Sequence, residues 1–204
     1  MKKIAVIGAG LSGLTTIKQL LDEGHEVMCY EQSDDYGGVF NSLDASYDNL
    51  TLTVSNYFMA YSDFVPMEER YRFWSKKEYR QYLERYVNRF NLLSRIRFNH
   101  EVVSLEKLGD QWKLVTMNGG VMHEMMFDAV AICSGMFVHK KLPNIVGMED
   151  FKGEILHTKE YKNADAFKGK RVLCVGMGES ASDVVSEISE GEKFKAFLMA
   201  LSKR

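Results

Sequence analysis

The sequence is poor in proline and cysteine, and both shortages limit what the chain can be. Only 2 prolines occur among its 204 residues, which leaves no proline-rich linker. The 3 cysteines, Cys29, Cys133 and Cys174, are an odd number, lie in separate apolar stretches and form no Cys-x-x-Cys motif. This pattern is typical of buried, reduced thiols, and it excludes a disulfide framework and a redox-active dithiol within this chain.

The chain also lacks a charge excess and a long hydrophobic run. Its 28 acidic and 26 basic side chains give a net charge of −2, which argues against nucleic-acid binding. The apolar run from Ile4 to Ile7 breaks at Gly8, so the N-terminus predicts neither an export signal nor a membrane span. Because 46% of the residues are hydrophobic, we expect a folded cytoplasmic protein with a sizeable core, and we predict no metal site.

The first part of the chain follows the pattern of a β-α-β unit. A β-branched apolar run, Lys3 to Ile7, predicts a buried strand, and apolar residues at helical spacing follow a glycine-rich turn. Gly24 lies where this helix must end, and the segment from Glu26 to Tyr30 predicts a second strand. A crossover of this kind makes the two strands parallel.

The turn in this unit is Gly8-Ala-Gly-Leu-Ser-Gly13, which matches G-x-G-x-x-G. In that motif Gly8 permits the tight turn, Gly10 lets a pyrophosphate approach the backbone, and Gly13 allows close packing of helix and strand. Ser12 lies in the first turn of the helix, where free N–H groups and the helix dipole hold phosphates. Glu31 ends the second strand, where a carboxylate accepts hydrogen bonds from a ribose. Although Glu31 alone would be an ordinary surface residue, the combination predicts a dinucleotide site.

Two features bear on the identity of the first nucleotide. An acid at position 31 disfavours a 2′-phosphate, so the nucleotide is FAD or NAD rather than NADP. Gly37-Gly38 follows Glu31 after a few residues. That pair is either a plain turn or the second Gly-Gly that is common after the acid in FAD enzymes with this fold, and it shifts the prediction towards FAD.

The middle of the chain has a different pattern. A capping box at its start and an apolar stripe at helical spacing predict a helix from Ser75 to Phe90. Short strands with glycine turns are predicted from Ile96 to Phe127. The apolar run from Phe127 to Cys133 is expected to rejoin the parallel sheet.

A second glycine loop follows a predicted strand, Arg171 to Val175, and begins a predicted helix. Its sequence is Gly176-Met-Gly178-Glu-Ser180-Ala181, with Ala181 in place of the third glycine, a replacement that the motif tolerates. Two dinucleotide loops in one flavoprotein usually indicate a flavin and a nicotinamide.

Two charged positions bear on the second nucleotide. The predicted second strand of this unit, Phe194 to Leu201, is followed by basic residues ending in Arg204 instead of an acid. Such groups would pair with the 2′-phosphate of NADPH, although a basic chain terminus also serves solubility, and the two interpretations stand level. Glu179 would repel the phosphates unless its side chain points outward.

The most specific segment is Phe151-Lys-Gly-Glu-Ile-Leu-His-Thr-Lys-Glu-Tyr161, which matches F-x-G-x-x-x-H-x-x-x-Y/F at every fixed position. With both glycine loops, the chain resembles the flavin-containing monooxygenases over its whole length. Related Baeyer–Villiger monooxygenases carry Trp and then Pro or Asp where this chain has Tyr161-Lys162, so the resemblance favours the N- or S-oxygenating branch. It also implies that His157 organises the linker between two nucleotide-binding domains.

The same resemblance implies two further site residues. Gly37-Gly38-Val39-Phe40 is similar to the family's flavin-contacting Gly-Gly-x-Trp stretch, which makes Gly38 and Val39 cofactor contacts. Ser55-Asn56 is similar to the segment with the family's active-site asparagine, so the Asn56 amide would hydrogen-bond the nicotinamide or the flavin. The alternative for Asn56 is an Asx turn at the start of a loop.

The resemblance implies an α/β, Rossmann-like FAD/NAD(P)-binding fold with a parallel sheet, an inserted antiparallel β-meander and the start of a second Rossmann unit. Residues 1–169 would form an incomplete FAD-binding domain, and residues 170–204 would form the first βαβ unit of an NADPH-binding domain whose later strands are missing. In the implied reaction NADPH reduces FAD, O2 adds at flavin C4a, and the hydroperoxyflavin passes one oxygen to an amine nitrogen or a sulfide sulfur.

Two alternatives stay open. In the first, the chain is a non-catalytic or split nucleotide-binding fragment, and a partner chain completes its fold, because unfinished sheets expose strand edges and apolar patches. In the second, the protein is a flavin disulfide reductase, which shares the plan of two dinucleotides but needs the dithiol that this chain lacks.

Overall fold

A computed structural model describes residues 1–41, 46–137 and 139–190, together with the backbone of residues 195–199. Its helices are α1 (Leu11–Asp22), α2 (Asn56–Met59), α3 (Lys76–Arg89) and α4 (Glu179–Ser189). Its strands are β1 (Lys3–Ile7), β2 (Glu26–Tyr30), β3 (Ile96–Arg97), β4 (Glu101–Leu108), β5 (Gln111–Asn118), β6 (Val121–Phe127), β7 (Ala129–Ile132), β8 (Arg171–Val175) and β9 (Lys195–Met199).

One sheet is entirely parallel and has the strand order β3-β2-β1-β7. Within it Val6 of β1 lies opposite Cys29 of β2 on one side and Ala131 of β7 on the other. This arrangement confirms the parallel β-α-β unit and the return of the chain to the sheet after Phe127 that the sequence predicts. It also places the ends of β1, β2 and β7 beside one another, where the first glycine loop begins.

Helix α1 packs on this parallel sheet. Leu14 and Ile17 are fully buried in one cluster with Val6 and Cys29, because apolar residues recur on one side of the helix. The helix ends at Asp22, and Gly24 follows with a φ of +76°, a left-handed conformation that glycine adopts at little cost. The end of α1 is therefore where the sequence predicts it.

Strands β4, β5 and β6 form a separate antiparallel sheet, which confirms the inserted meander. In the central strand Leu114 and Thr116 are fully buried, since alternate residues of a strand face the same side. The meander begins at Glu101 and not at Ile96, because Ile96 pairs in parallel with Cys29 of β2 and belongs to the first sheet.

Helix α3 begins at the predicted capping box. The hydroxyl of Ser75 accepts a hydrogen bond from the backbone N–H of Glu78 at 3.3 Å, and the Glu78 carboxylate accepts one from the backbone N–H of Ser75 at 2.9 Å. The rings of Tyr79 and Tyr82 stack with their centroids 5.7 Å apart, and Trp74 packs against both. These aromatic contacts join α3 to the core that α1 covers.

Strands β8 and β9 form a two-stranded parallel sheet, and α4 connects them. Val184 and Ile188 of α4 are buried in a cluster with Tyr47 and Tyr161. The start of a second β-α-β unit is thereby confirmed, whereas the division of the chain into domains at residues 169 and 170 stays a prediction. Over the described ranges, no helix is both long and apolar enough to span a bilayer.

Candidate nucleotide-binding sites

Two glycines of the first loop have no room for a side chain. A Cβ on Gly13 would lie 1.9 Å from the carbonyl oxygen of Gly8, and a Cβ on Gly8 would lie 2.6 Å from the carbonyl oxygen of Cys133. Gly8 also has a φ of +97°. The loop thus brings the start of α1 into direct contact with the ends of β1 and β7, which is the packing that the spacing predicts.

Gly10 and Gly38 bring two stretches of bare backbone together. A Cβ on Gly38 would lie 3.2 Å from the Cα of Gly10, and Gly38 has a φ of +58°. The neighbouring N–H of Gly37 donates to the carbonyl oxygen of Ala9 at 2.9 Å. The two Gly-containing segments therefore form one continuous backbone surface. Val39, directly after Gly38, is 38% exposed beside it.

The N-terminus of α1, next to that surface, has N–H groups that precede the first helical hydrogen bond. That bond runs from the N–H of Leu14 to the carbonyl oxygen of Gly10, and over the ranges that the structure describes no side chain caps the helix. No acidic residue lies in the first turn, where Ser12 is exposed. Free N–H groups at the positive end of a helix dipole are the usual protein partners of a phosphate.

Glu31 lies at the edge of the same loop and is nearly buried. One of its carboxylate oxygens accepts a hydrogen bond from the N–H of Ala9 at 2.7 Å. The other accepts hydrogen bonds from the N–H and the hydroxyl of Ser33 at 2.9 and 2.8 Å. The acid is therefore fixed against the glycine loop instead of projecting into solvent as a surface residue would.

These features fit the diphosphate and the ribose of a dinucleotide such as FAD. Bare backbone at Gly10 and Gly38 leaves room for a diphosphate, and the N-terminus of α1 supplies donors for it. A carboxylate at position 31 supplies acceptors for ribose hydroxyls. That these residues bind FAD stays a prediction.

Asn56, the first residue of α2, is completely buried. Its side-chain amide donates to the carbonyl oxygen of Arg70 at 3.1 Å and accepts from the N–H of Arg72 at 3.1 Å. Because these partners are distant in sequence, the amide does not form a local Asx turn. The predicted contact between this amide and a nicotinamide or flavin stays a prediction.

The second glycine loop is more open than the first. Gly176 has a φ of +131°, and a Cβ on Gly176 or Gly178 would meet no atom within 4 Å in the described part of the chain. Gly178 precedes α4, and no side chain of the described residues caps this helix. Ser180 is exposed in the first turn, whereas Ala181 is buried. The conformation suits a nucleotide, and the assignment of these four residues to one stays a prediction.

The carboxylate of Glu179 has a hydrogen-bonding partner outside the second glycine loop. It accepts a hydrogen bond from the hydroxyl of Thr53 at 3.1 Å, across a sequence separation of 126 residues. Because Glu179 lies in the first turn of α4, its repulsion of a phosphate stays a prediction. Arg204, the predicted partner of a 2′-phosphate, lies outside the described residues.

The signature segment from Phe151 to Tyr161 forms a compact link before β8. A Cβ on Gly153 would lie 2.4 Å from the ring of Phe151, so the ring folds over the glycine. The His157 ring accepts a hydrogen bond from the N–H of Lys159 at 3.0 Å and thereby caps the short helix that follows. Tyr161 is only 2% exposed. Gly153 and His157 thus have local structural reasons, whereas Tyr161 is buried against residues that are distant in sequence.

The model of the flavin-binding monooxygenase-like family matches residues 1–202. The chain belongs to this family. Among its relatives, the 4-hydroxybenzoate brominase (decarboxylating) of Marinomonas mediterranea is 53% identical over 93% of the chain and 37% of the relative's length. The dimethylaniline monooxygenase [N-oxide-forming] 4 of Rattus norvegicus is 42% identical over 92% of the chain and 36% of its own length.

The solved S-allyl-L-cysteine S-oxygenase from Allium sativum has the same fold as this flavin-binding monooxygenase-like chain. The TM-score is 0.90 at 22% identity, and the match covers 100% of the chain and 52% of the solved one. The chain therefore spans little more than a third of the length of the curated relatives and about half of the solved structure.

The structure of this family member adds groups that the sequence analysis misses. The hydroxyl of Ser33 donates a hydrogen bond to the Glu31 carboxylate. A serine two positions after the acid could have indicated this contact from the sequence. Arg80 of α3 donates to both carboxylate oxygens of Asp35 at 2.8 and 3.1 Å, and its guanidinium lies 3.9 Å from the ring centre of Tyr36. No local pattern indicates Arg80, because its partners lie about 45 residues earlier in the chain.

Proposed function

We propose that the full-length protein is a flavin-dependent monooxygenase that uses FAD, NADPH and O2. The observation that carries this proposal is the surface formed by Gly10, Gly38 and the N-terminus of α1, with Glu31 at its edge. Membership of the flavin-binding monooxygenase-like family supports it. When bound, the flavin supplies the redox and oxygen chemistry, and the protein supplies binding, orientation and exclusion of water.

In this proposal the first loop binds FAD. Gly8 and Gly13 set the turn, and Gly10 and Gly38 leave the backbone bare for the diphosphate. The N–H groups beside Ser12 donate to it, and Glu31 accepts hydrogen bonds from the ribose. Val39 borders the path towards the flavin ring.

The second loop binds NADPH through Gly176, Gly178, Ser180 and Ala181. The contact between Thr53 and Glu179 supports this part of the proposal, because it gives the carboxylate in the first turn of α4 a hydrogen-bonding partner outside the second loop. Arg204 is proposed as the partner of the 2′-phosphate.

Asn56 is proposed as a residue of the oxygenation site. One N–H of its side-chain amide donates to the carbonyl oxygen of Arg70, and the amide oxygen accepts from the N–H of Arg72. This bonding supports a part in the site through the position of residues 70–72, since a buried amide holds such a segment in one conformation.

The proposed substrate is a soft nucleophile that accepts one oxygen atom. An amine nitrogen or a sulfide sulfur is the first candidate, and the identity of 42% with an N-oxide-forming monooxygenase supports it. Bromide ion, followed by bromination of a phenolic acid, is the second candidate, and the identity of 53% with a 4-hydroxybenzoate brominase supports that one. The cytoplasmic location stays a prediction.

The test uses the full-length protein and two measurements. In the first, an absorption spectrum is recorded before and after anaerobic NADPH; we expect bound oxidised flavin that bleaches. In the second, NADPH and O2 are supplied with an amine, a sulfide, or bromide together with 4-hydroxybenzoate, and the products are identified. An oxygenated amine or sulfide supports the first candidate, and a brominated phenol supports the second. NADPH consumption without any such product, or a protein that binds no flavin, contradicts the proposal. Bound flavin without any turnover favours a non-catalytic nucleotide-binding protein.

A further inference from the structure

Helix α4 presents a row of carboxylates to the segment that precedes α2. The carboxylates lie one helical turn apart, and each accepts one hydrogen bond from a neutral donor within residues 47–53. The pairs are Thr53 with Glu179 at 3.1 Å, Asn49 with Glu187 at 2.8 Å, and Tyr47 with Asp183. These three hydrogen bonds connect α4 of the second β-α-β unit to residues 47–53.

Tyr47 and Asp183 form the central and least exposed of these pairs. Tyr47 is 9% exposed and packs in one cluster with Val184 and Ile188 of α4. Its ring lies edge-on to Tyr161, with the centroids 6.2 Å apart. Burial and the hydrogen bond to Asp183 raise the pKa of the Tyr47 hydroxyl, so it stays a donor at neutral pH.

Residues 47–53 are in turn fixed to the first core. The N–H of Leu52 donates to the carbonyl oxygen of Trp74 at 2.8 Å, and the N–H of Lys76 donates to that of Leu50 at 2.8 Å. Beside Tyr47, the N–H of Asp48 donates to the carbonyl oxygen of Lys162 at 2.8 Å. Hydrogen bonds thus connect the start of α3 to residues 47–53, and Tyr47 connects these residues to α4.

We propose that Tyr47 is a positioning residue for electron transfer between the two nucleotides, a role that rests on the proposed function. Its hydrogen bond to Asp183 fixes α4, the helix that follows the second glycine loop. The position of α4 is thereby fixed relative to the core that carries the first glycine loop. The step it serves is hydride transfer from NADPH to FAD, which leaves NADP⁺ and reduced FAD. Such a transfer needs reacting atoms within about 3–3.5 Å, so a small rotation of α4 slows it.

The test compares variants that lose the Tyr47–Asp183 hydrogen bond with variants that keep it. Tyr47→Phe and Asp183→Ala remove the bond, whereas Asp183→Asn keeps an acceptor oxygen. Tyr79→Phe is the matched control, because it removes a buried hydroxyl that donates to the backbone of Met59 at 3.2 Å within the first core. In the full-length protein, flavin reduction at saturating NADPH is expected to slow about tenfold in the first two variants and to stay within about twofold of wild type in the others.

The dissociation constant of NADPH separates positioning from simple loss of binding. We expect it to change by less than about twofold in Tyr47→Phe, because the donors of the second loop are untouched. Hydrogen exchange of the α4 amides, measured without NADPH, is expected to accelerate in Tyr47→Phe and Asp183→Ala but not in Asp183→Asn or Tyr79→Phe. This second measurement does not depend on activity.

The outcomes distinguish this inference from the proposed function. If NADPH reduces the wild-type flavin and reduces both bond-deleting variants equally fast, the positioning role is overturned and the proposed function is supported. If NADPH does not reduce the wild-type flavin, the proposed function fails and the positioning role fails with it. If Tyr47→Phe does not retain FAD, the comparison of Asp183→Ala with Asp183→Asn decides, and equal rates in those two overturn the role.

Discussion

The carboxylate of Glu31 accepts a 2.7 Å hydrogen bond from the backbone N–H of Ala9, in the middle of the first glycine loop. Its second oxygen accepts two hydrogen bonds from Ser33. The acid therefore ties the loop to the end of β2. If Glu31 also binds a ribose as proposed, the same side chain links cofactor binding to the conformation of the loop.

Replacement of Glu31 by Gln is expected to weaken FAD binding about tenfold, because a neutral amide loses charge-assisted hydrogen bonds to its donors. Ser33→Ala is expected to weaken it about threefold, through a less fixed Glu31. The dissociation constant of FAD, measured by titration of the full-length apoprotein, checks both values. The surface variant Ser94→Ala, which removes a hydroxyl bonded to the carbonyl oxygen of Asn91, is the control. Fully additive losses in the double variant would show that Ser33 does not act through Glu31.

Gly13→Ala is expected to destabilise the protein by about 3 kcal/mol and to abolish flavin binding, because the new Cβ would lie 1.9 Å from the carbonyl oxygen of Gly8. The two atoms nearest to that Cβ belong to the backbone of Gly8, so no flexible side chain can move away to relieve the clash. Gly119→Asn is the control and is expected to cost little stability, because Gly119 lies in a hairpin turn where a Cβ would meet no described atom within 4 Å. Urea unfolding and flavin content measure the two effects. A Gly13→Ala protein as stable as wild type would contradict the packing described for α1.

The parts of the fold that the sequence predicts are those with local causes. The apolar runs of β1 and β2 and the helical spacing of α1 come from burial within a few residues, and the capping box at Ser75 is complete within four residues. The glycine spacing likewise predicts the close approach of Gly13 to Gly8.

Contacts between distant residues could not be predicted in this way. The amide of Asn56 binds backbone 14 and 16 residues later, and Glu179 accepts a hydrogen bond from Thr53, 126 residues earlier. Ile96 pairs with Cys29 in the parallel sheet because the chain leaves α3 beside β2. The short apolar segment around Ile96 does not by itself indicate this pairing. Each of these depends on the assembled fold.

The stability of the protein is expected to fall as the pH drops below about 6.5, and His100 is one cause. Its ring lies 6.0 Å from that of Tyr30 and 5.5 Å from that of His123, and burial, His123 and Arg97 lower its pKa from the usual 6.5. At pH values just below 6.5 the folded protein therefore binds fewer protons than the unfolded chain. The contribution of His100 to the free energy of unfolding is complete above pH 6.5 and is lost as the pH falls through the lowered pKa.

His100→Gln is expected to reduce this pH dependence, and His123→Gln is expected to reduce it partly, because one of the charges that disfavour protonation is removed. Urea midpoints between about pH 5 and pH 8 measure the effect. His25→Gln is the control, since the His25 ring accepts an exposed hydrogen bond from the N–H of Lys2 and lies outside the Tyr30–His100–His123 contacts. If the urea midpoint of His100→Gln depends on pH as steeply as that of the wild type, other groups cause the loss of stability in acid.

Arg80→Ala is expected to weaken FAD binding about tenfold although Arg80 lies on α3, outside both glycine loops. Its guanidinium bridges both oxygens of Asp35 and covers the ring of Tyr36, and these two residues directly precede Gly37. Without it the backbone that presents the Gly-Gly pair loses its support, so FAD must order that backbone when it binds. Arg80→Lys is expected to recover only part of the affinity, because an ammonium keeps the charge but has no planar group to stack on the ring of Tyr36. Arg85→Ala, at an exposed position of the same helix, is the control. Equal FAD dissociation constants for Arg80→Ala and wild type in the full-length protein would show that the loop is fixed without this clamp.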